Sequence, residues 1–246
     1  MLGLLNTVLS KGNTLLTYVK DGLVMANRFL TPPKLTFPVD ASAEFNGSSD
    51  YIQLSDPFSH TNHTIAGWVY ANDTGAQKFI FDNRDADNDG IRLTSPSNET
   101  ILYSVNAADV SSSTSYANEW VYAVGTYDGT TQRLYVNGSL VSSQATSQTI
   151  NTTIDSKIGR VSYVSSEHFN GNLANVAIWN RALSSDEINS VMWKSYEGLT
   201  GAESNGLKAW YSLDDITSPA ASLANMEQLA TDKNATIETK QPSPLQ

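Results

Sequence analysis

The amino-acid sequence predicts an all-β fold in which two antiparallel sheets pack face to face. From residue 42 onward, the chain consists of short segments with alternating apolar and polar side chains, many of them bounded by Gly, Asn, Asp or Ser. Only 16% of the residues are charged, whereas Ser, Thr and Asn are abundant. This composition favours strands and turns over surface helices.

The first 34 residues are predicted to form a separate N-terminal docking arm, helical or extended. Apart from one gap at Gly12, its apolar residues are three and four positions apart, which is the spacing of a helical stripe. The sequence "TPPK" at 31–34 ends the segment, because proline lacks a backbone donor. Two interpretations remain open: a helix lying on its own domain, or an arm that docks on a neighbouring subunit or a larger assembly. The stripe consists of Leu2, Leu5, Leu9, Leu16, Val19 and Leu23.

The segment "EWVYAVGTY" at 119–127 predicts a central strand with Trp120 and Tyr122 on one face and Val121 on the other. Two residues that accept positive φ, Asn137 and Gly138, follow the next strand. This pair predicts a hairpin with a type I′ turn.

One short helix is expected near 184–193, within the sequence "ALSSDEINSVM". Ser184 is a natural N-cap, and Glu187 follows three residues later, as in a capping box. "GLKAWYSLDD" then predicts a last strand, and the remaining residues lose their periodicity. The predicted organisation is an arm at 1–34, a sandwich at 35–215 and an extended tail at 216–246.

Composition argues against several classes of partner. A formal net charge of −10 without a cluster of Lys and Arg disfavours nucleic acid and anionic lipid. The chain has no run of about 18 apolar residues, so membrane insertion is not expected. Its first ten residues lack the basic start of a secretory signal. Because the chain has no cysteine, disulfides and thiolate metal sites are excluded.

Four segments, in this order, resemble the laminin-G-like, concanavalin A-like lectin/glucanase superfamily. They are "AEFNGSSDYIQL" (43–54), "HTIAGWVYAND" (63–73), "EWVYAVGTYDGTTQRLYVNGSLV" (119–141) and "IGRVSYVSSEHFNGNLANVAIWNRALSSDEI" (158–188). The resemblance covers about 42–193. It implies a jelly-roll sandwich of two curved antiparallel sheets, which carbohydrate-binding modules, receptor domains, some glycosidases and many virion proteins share.

One departure from the family pattern concerns the C-terminus. "GLKAWYSLDD" followed by "TDKNATI" resembles the strand and turn that usually open such a domain. Here the two segments either close the sandwich from the other end or are the remnant of a following unit.

The sequence does not predict an enzyme. The resemblance implies that a hydrolase would carry carboxylates alternating on one strand, in an E-x-D-x-E pattern, and this chain has no such segment. No Ser or Cys nucleophile accompanies the histidines in a recognisable motif, which disfavours a catalytic role. His60 and His63 are expected to be surface turn residues, because they frame "TN" near the start of a strand.

The sequence "RDADNDG" at 84–90 allows two interpretations. Asp85, Asp87 and Asp89 alternate ahead of a glycine and could supply oxygen ligands to Ca²⁺. An EF-hand is excluded, because the twelfth loop position is Pro96. The alternative is a plain hairpin turn, since Asp, Asn and Gly reverse a chain without any ion.

Aromatic residues are the other candidates for binding. Tyr103, Tyr116 and Tyr163 lie at or near predicted loops, where a sugar ring could stack on them. Tryptophans within predicted strands are expected to pack in the core; these are Trp68, Trp120 and Trp179.

Two functional hypotheses follow. The first is a non-catalytic virion component, such as a capsid decoration, fibre or tail-associated protein, that lies on the virion surface, docks through its arm and forms a homo-oligomer. The second is a calcium-assisted carbohydrate-binding module or host-glycan adhesin, extracellular or on a cell surface.

Overall fold

The computed structural model describes residues 42–54, 58–72, 74–150 and 152–213, together with the backbone of strands at 5–9, 13–20, 23–28, 237–240 and 243–244. The chain divides into two compact units, Met1–Phe37 and Pro38–Gln246. In the described residues, no helix is long and apolar enough to span a membrane.

The first unit is a three-stranded antiparallel sheet, so the expected helical stripe is wrong. Its strands are β1 (Leu5–Leu9), β2 (Asn13–Lys20) and β3 (Leu23–Arg28), in the order β1-β2-β3. Lys20 pairs with Leu23, and the intervening Asp-Gly is a strong hairpin signal. The segments between such breaks have at most eight residues, which is too short for an isolated helix.

Docking by this unit stays a prediction. Leu2 lies outside the described residues, as do the side chains of the other predicted arm residues, namely Leu5, Leu9, Leu16, Val19 and Leu23.

The second unit contains fifteen described strands and two short α-helices. Strands β4 to β10 are Ala43–Asn46, Tyr51–Leu54, His63–Ala71, Lys78–Asp82, Ile91–Ser95, Leu102–Val105 and Ala108–Ser111. Strands β11 to β18 are Trp120–Tyr127, Thr131–Val136, Ser139–Ala145, Lys157–Ile158, Asn170–Trp179, Leu207–Tyr211, Ile237–Lys240 and Ser243–Pro244. The helices are α1 (Ser185–Val191) and α2 (Gly201–Ser204), and a 3₁₀ turn spans Tyr196–Gly198.

These strands form two antiparallel sheets, which confirms the predicted sandwich. The seven-stranded sheet has the order β10-β9-β8-β7-β14-β5-β17. The eight-stranded sheet has the order β13-β12-β11-β6-β15-β4-β18, with β16 also paired to β15.

The C-terminal strands complete both sheets. Strand β16 pairs with β15, β17 pairs with β5, and β18 pairs with β4. The C-terminal segment therefore closes this sandwich and is not the remnant of another unit.

Two local predictions are confirmed. Asn137 and Gly138 have φ values of 51° and 78°, so they form the expected turn between β12 and β13. Ser184 caps α1 through a complete capping box with Glu187.

The eight-stranded sheet buries apolar side chains on both of its faces. Its inner face packs against the seven-stranded sheet and forms the main core, which includes Val69, Val121 and Leu173. Its outer face carries a second core under α1, which includes Trp68, Tyr122, Ala174, Ile188 and Met192. Because side chains alternate along a strand, residues 70, 120 and 172 also lie on the outer face.

Candidate functional site

Asp85 organises the β7–β8 loop as a turn. Its Oδ1 accepts hydrogen bonds from the backbone N–H groups of Asp87 and Asp89, each at 2.9 Å. Its carbonyl oxygen accepts the N–H of Asn88 at 3.1 Å. Asn88 and Gly90 have positive φ values of 66° and 137°, as a tight chain reversal requires.

The three aspartates are not brought together as calcium ligands. In the part of the chain that the structure describes, no group of three or more His, Cys, Asp or Glu side chains is arranged to hold a metal ion. The hydrogen bonds of Asp85 thus favour the turn interpretation, and calcium binding by Asp85, Asp87 and Asp89 stays a prediction from the sequence.

A second loop, between β14 and β15, packs on the start of this turn. Asp82 accepts a hydrogen bond from Arg84 Nε at 2.7 Å and from the backbone of Ser162 at 2.9 Å. The Arg84 guanidinium lies between two rings, 5.4 Å from that of Phe79 and 5.7 Å from that of Tyr163. Burial raises the pKa of the Asp82 carboxyl, although Arg84 opposes that shift. Arg84 and Asp82 are both buried, so this pair is structural.

The three predicted ligand-binding tyrosines are in different environments. Tyr103 is fully buried in the main core, so its assignment to a sugar-stacking surface is wrong. Tyr116 is half-buried and packs against the same core. Tyr163 is 40% exposed above Arg84, which leaves it available for contact with a ligand.

His63 is buried beside Tyr103, so the expectation of a surface turn residue is wrong. Its Nδ1 lies 2.9 Å from the carbonyl oxygen of His60, and its Nε2 lies 2.5 Å from the Tyr103 hydroxyl. Burial lowers its pKa to about 4. This neutral imidazole has a packing role.

A row of polar and aromatic side chains crosses the outer face of the eight-stranded sheet. Cross-strand pairing places Glu44 of β4 beside Asn172 of β15, Asn172 beside Tyr70 of β6, and Tyr70 beside Trp120 of β11. The rings of Tyr70 and Trp120 are 5.7 Å apart, and both side chains are half-buried. We call these four residues, Glu44, Asn172, Tyr70 and Trp120, the outer-face row.

A second aromatic group lies beside the outer-face row. The ring of Trp68 lies 5.3 Å from that of Tyr122 and 5.5 Å from that of Trp193. Trp68 also donates its indole N–H to the carbonyl of Met192, which fixes its orientation. Trp193 is 43% exposed, whereas Trp68 and Tyr122 are buried. Trp193 therefore presents an indole ring at the surface on a rigid support.

A family model described as the Concanavalin A-like lectin/glucanases superfamily matches residues 46–189, which is more than half of the chain. The chain belongs to this superfamily. Comparison with curated proteins gives no match.

Solved structures with this superfamily fold include two carbohydrate-related proteins. A candidate carbohydrate-binding protein from Bacteroides ovatus superposes with a TM-score of 0.60 at 15% identity, over 83% of this chain and 61% of that protein. This chain thus spans less than two thirds of its length. The CBM40 module of the Ruminococcus gnavus IT-sialidase, bound to α2,3-sialyllactose, superposes with a TM-score of 0.50 at 12% identity, over 63% of this chain and 99% of that module.

The sequence patterns of this superfamily member did not predict the outer-face row as a binding site. The expectation of core packing holds for Trp68 and Trp179, which are buried, but Trp120 is only half-buried. A usable signal is that "WVY" occurs at 68–70 and again at 120–122. Aromatic residues at alternate positions of two strands indicate one shared aromatic face.

The charges near Trp193 are locally balanced. Lys194 Nζ lies 2.6 Å and 2.8 Å from the two carboxylate oxygens of Glu203. Burial alone would raise the pKa of Glu203, but hydrogen bonds from Lys194, Ser190 and Thr200 outweigh burial and lower it to about 2. The surface therefore offers flat rings and the half-buried Glu44 carboxylate, with the Asn172 amide only 9% exposed beside them, which suits recognition of a polyhydroxylated ligand.

Proposed function

We propose that the chain is a non-catalytic glycan-binding module whose ligand lies on the outer-face row and Trp193. The observation that carries this proposal is the exposed Trp193 and half-buried Trp120 on the same sheet face as Asn172 and Glu44. Large aromatic side chains at a surface usually mark a contact site.

The residue types match the chemistry of a sugar. The apolar C–H face of a pyranose can pack on an indole or phenol ring. The half-buried Glu44 carboxylate can accept hydrogen bonds from hydroxyl groups, whereas the Asn172 amide is buried and donates one of its N–H groups to the Ser42 hydroxyl. Regular strands hold these residues, so little ordering is needed on binding.

The same row argues against hydrolysis. Glycosidases use a pair of carboxylic acids on either side of the scissile bond, whereas the outer-face row contains the single carboxylate of Glu44. The similar fold of the CBM40 module, whose structure contains a bound glycan, also supports binding rather than hydrolysis.

The test is a glycan array with the full chain, followed by calorimetric titration of the ligand it identifies. Trp193→Ala and Trp120→Ala should each weaken binding at least fivefold, because a lost ring contact typically costs about 1 kcal/mol. Tyr163→Ala, which removes an exposed ring in the β14–β15 loop, is the matched control and should bind normally.

Two outcomes would contradict the proposal. If no glycan on the array binds the chain, the proposed glycan-binding function is wrong. Binding that survives both tryptophan substitutions but is lost in Tyr163→Ala would place the ligand at the β14–β15 loop instead.

We further propose that residues 1–37 attach the sandwich to an assembly, such as a virion surface on which the chain serves as a decoration, fibre or tail-associated protein. What favours this is that these residues form a compact unit separate from the sandwich. The solution mass of the full chain, compared with that of a chain beginning at Pro38, tests it. An equal oligomeric state for both, together with normal incorporation of the shortened chain into particles, would contradict attachment by this unit.

A further inference from the structure

Strand β13 ends the eight-stranded sheet with an open edge. It pairs with β12 along its whole length: Ser139 lies opposite Val136 at one end, and Ala145 lies opposite Thr131 at the other. On its other side it has no partner strand among the described residues. Six of its seven residues are exposed, including Leu140 at 54% and Val141 at 39%. The backbone groups that point away from β12 are therefore available to another strand.

This edge has one of the features that normally limit pairing between sheets, a β-bulge at Val141, where the register with β12 shifts, but it lacks several others. The sequence from 137 to 154 contains no charged residue and no proline. Natural edge strands are usually protected by a charge, a proline or a covering segment. The last strand of the other sheet, β10, does carry such a charge, because its Asp109 is exposed and paired with Arg92.

We propose that β13 pairs with β13 of a second copy of this chain, in antiparallel orientation about a twofold axis. A pairing centred on Ser143 lies on the C-terminal side of this bulge and would set Ser142 opposite Gln144, so that every paired side chain is uncharged. An antiparallel strand pair of identical sequence is self-complementary, as a twofold interface requires. The two eight-stranded sheets then become one continuous sheet.

Charge argues for a second copy as the occupant. Each chain has a formal net charge of −10, so two copies repel wherever acidic surfaces meet. The uncharged stretch at 137–154 is a place where they can approach without bringing like charges together. A seven-residue strand pair buries a modest area, so the dimer should be concentration-dependent.

Sedimentation equilibrium of the full chain at increasing concentration tests the proposal. The wild-type chain should shift from monomer to dimer, whereas Ser143→Lys and Val141→Lys should remain monomeric at the same concentrations. Ser165→Lys makes the same charge change in an exposed loop and should dimerise like the wild type. Far-UV circular dichroism checks that each variant folds. A wild-type chain that stays monomeric, or a dimer that persists in both edge variants, would overturn the proposal.

Discussion

The hydroxyl of Tyr103 lies 2.5 Å from Nε2 of His63 in the main core. The carbonyl oxygen of His60 only accepts hydrogen bonds, so His63 Nδ1 carries the proton and Nε2 accepts one from Tyr103. This tautomer satisfies both ring nitrogens without a charge. The imidazole of His63, the first residue of β6, therefore links a core tyrosine of the seven-stranded sheet to the carbonyl group of His60.

We predict that this pair makes the sandwich sensitive to acid. The pKa of His63 falls from 6.5 in the unfolded chain to about 4 in the folded one, so the unfolded chain binds more protons between these values. Stability is therefore lost as pH falls from about 6.5 to about 4, by about 3 kcal/mol. Urea unfolding at pH 7 and pH 4 measures this loss. The double variant His63→Phe with Tyr103→Phe removes the titrating group and should lose less; equal losses would contradict the assignment.

A second prediction concerns Gly125, which faces the ring of Tyr103 across the core. A Cβ atom at this position would overlap that ring. Gly125→Ala should therefore destabilise the fold by about 1–3 kcal/mol through overpacking. Gly201→Ala is the matched control, because it adds the same methyl group where no atom beyond its chain neighbours and its own helix backbone lies within 4 Å. Equal midpoints of urea unfolding in the two variants would show that the core accommodates the added methyl group.

Much of the sandwich could be predicted because its signals are local. The alternation in β11 and the Asn137–Gly138 turn each depend on a few adjacent residues. The first 30 residues were misassigned because leucines three and four positions apart also fit short strands separated by turns. Tyr103 was misplaced because its burial depends on His63 and Gly125, which are distant in sequence.

The β7–β8 loop gives a third prediction. Asp85→Ala should destabilise the protein by about 1 kcal/mol, because two backbone N–H groups lose their acceptor, whereas Asp85→Asn should keep that acceptor and the stability.

For the same loop, calcium should produce no heat of binding and no rise in Tm, since the aspartates do not converge. Calcium binding that disappears in Asp87→Ala would instead restore the metal interpretation. Thermal unfolding and calorimetric titration provide both measurements.

The last prediction follows from the charge of the outer-face row and concerns which glycans bind. Glu44 is the ionisable carboxylate of that row, and the ammonium group of nearby Lys194 is held by Glu203. A sialylated glycan should therefore bind about fivefold more weakly than its neutral counterpart, because two like charges roughly 4 Å apart repel by about 1 kcal/mol in water. Calorimetric titration of the paired glycans measures the ratio, and Glu44→Gln should bring it close to one. Tighter binding of the sialylated form would show that a cation outside the row reaches the ligand, even though the glycan-binding proposal itself would stand.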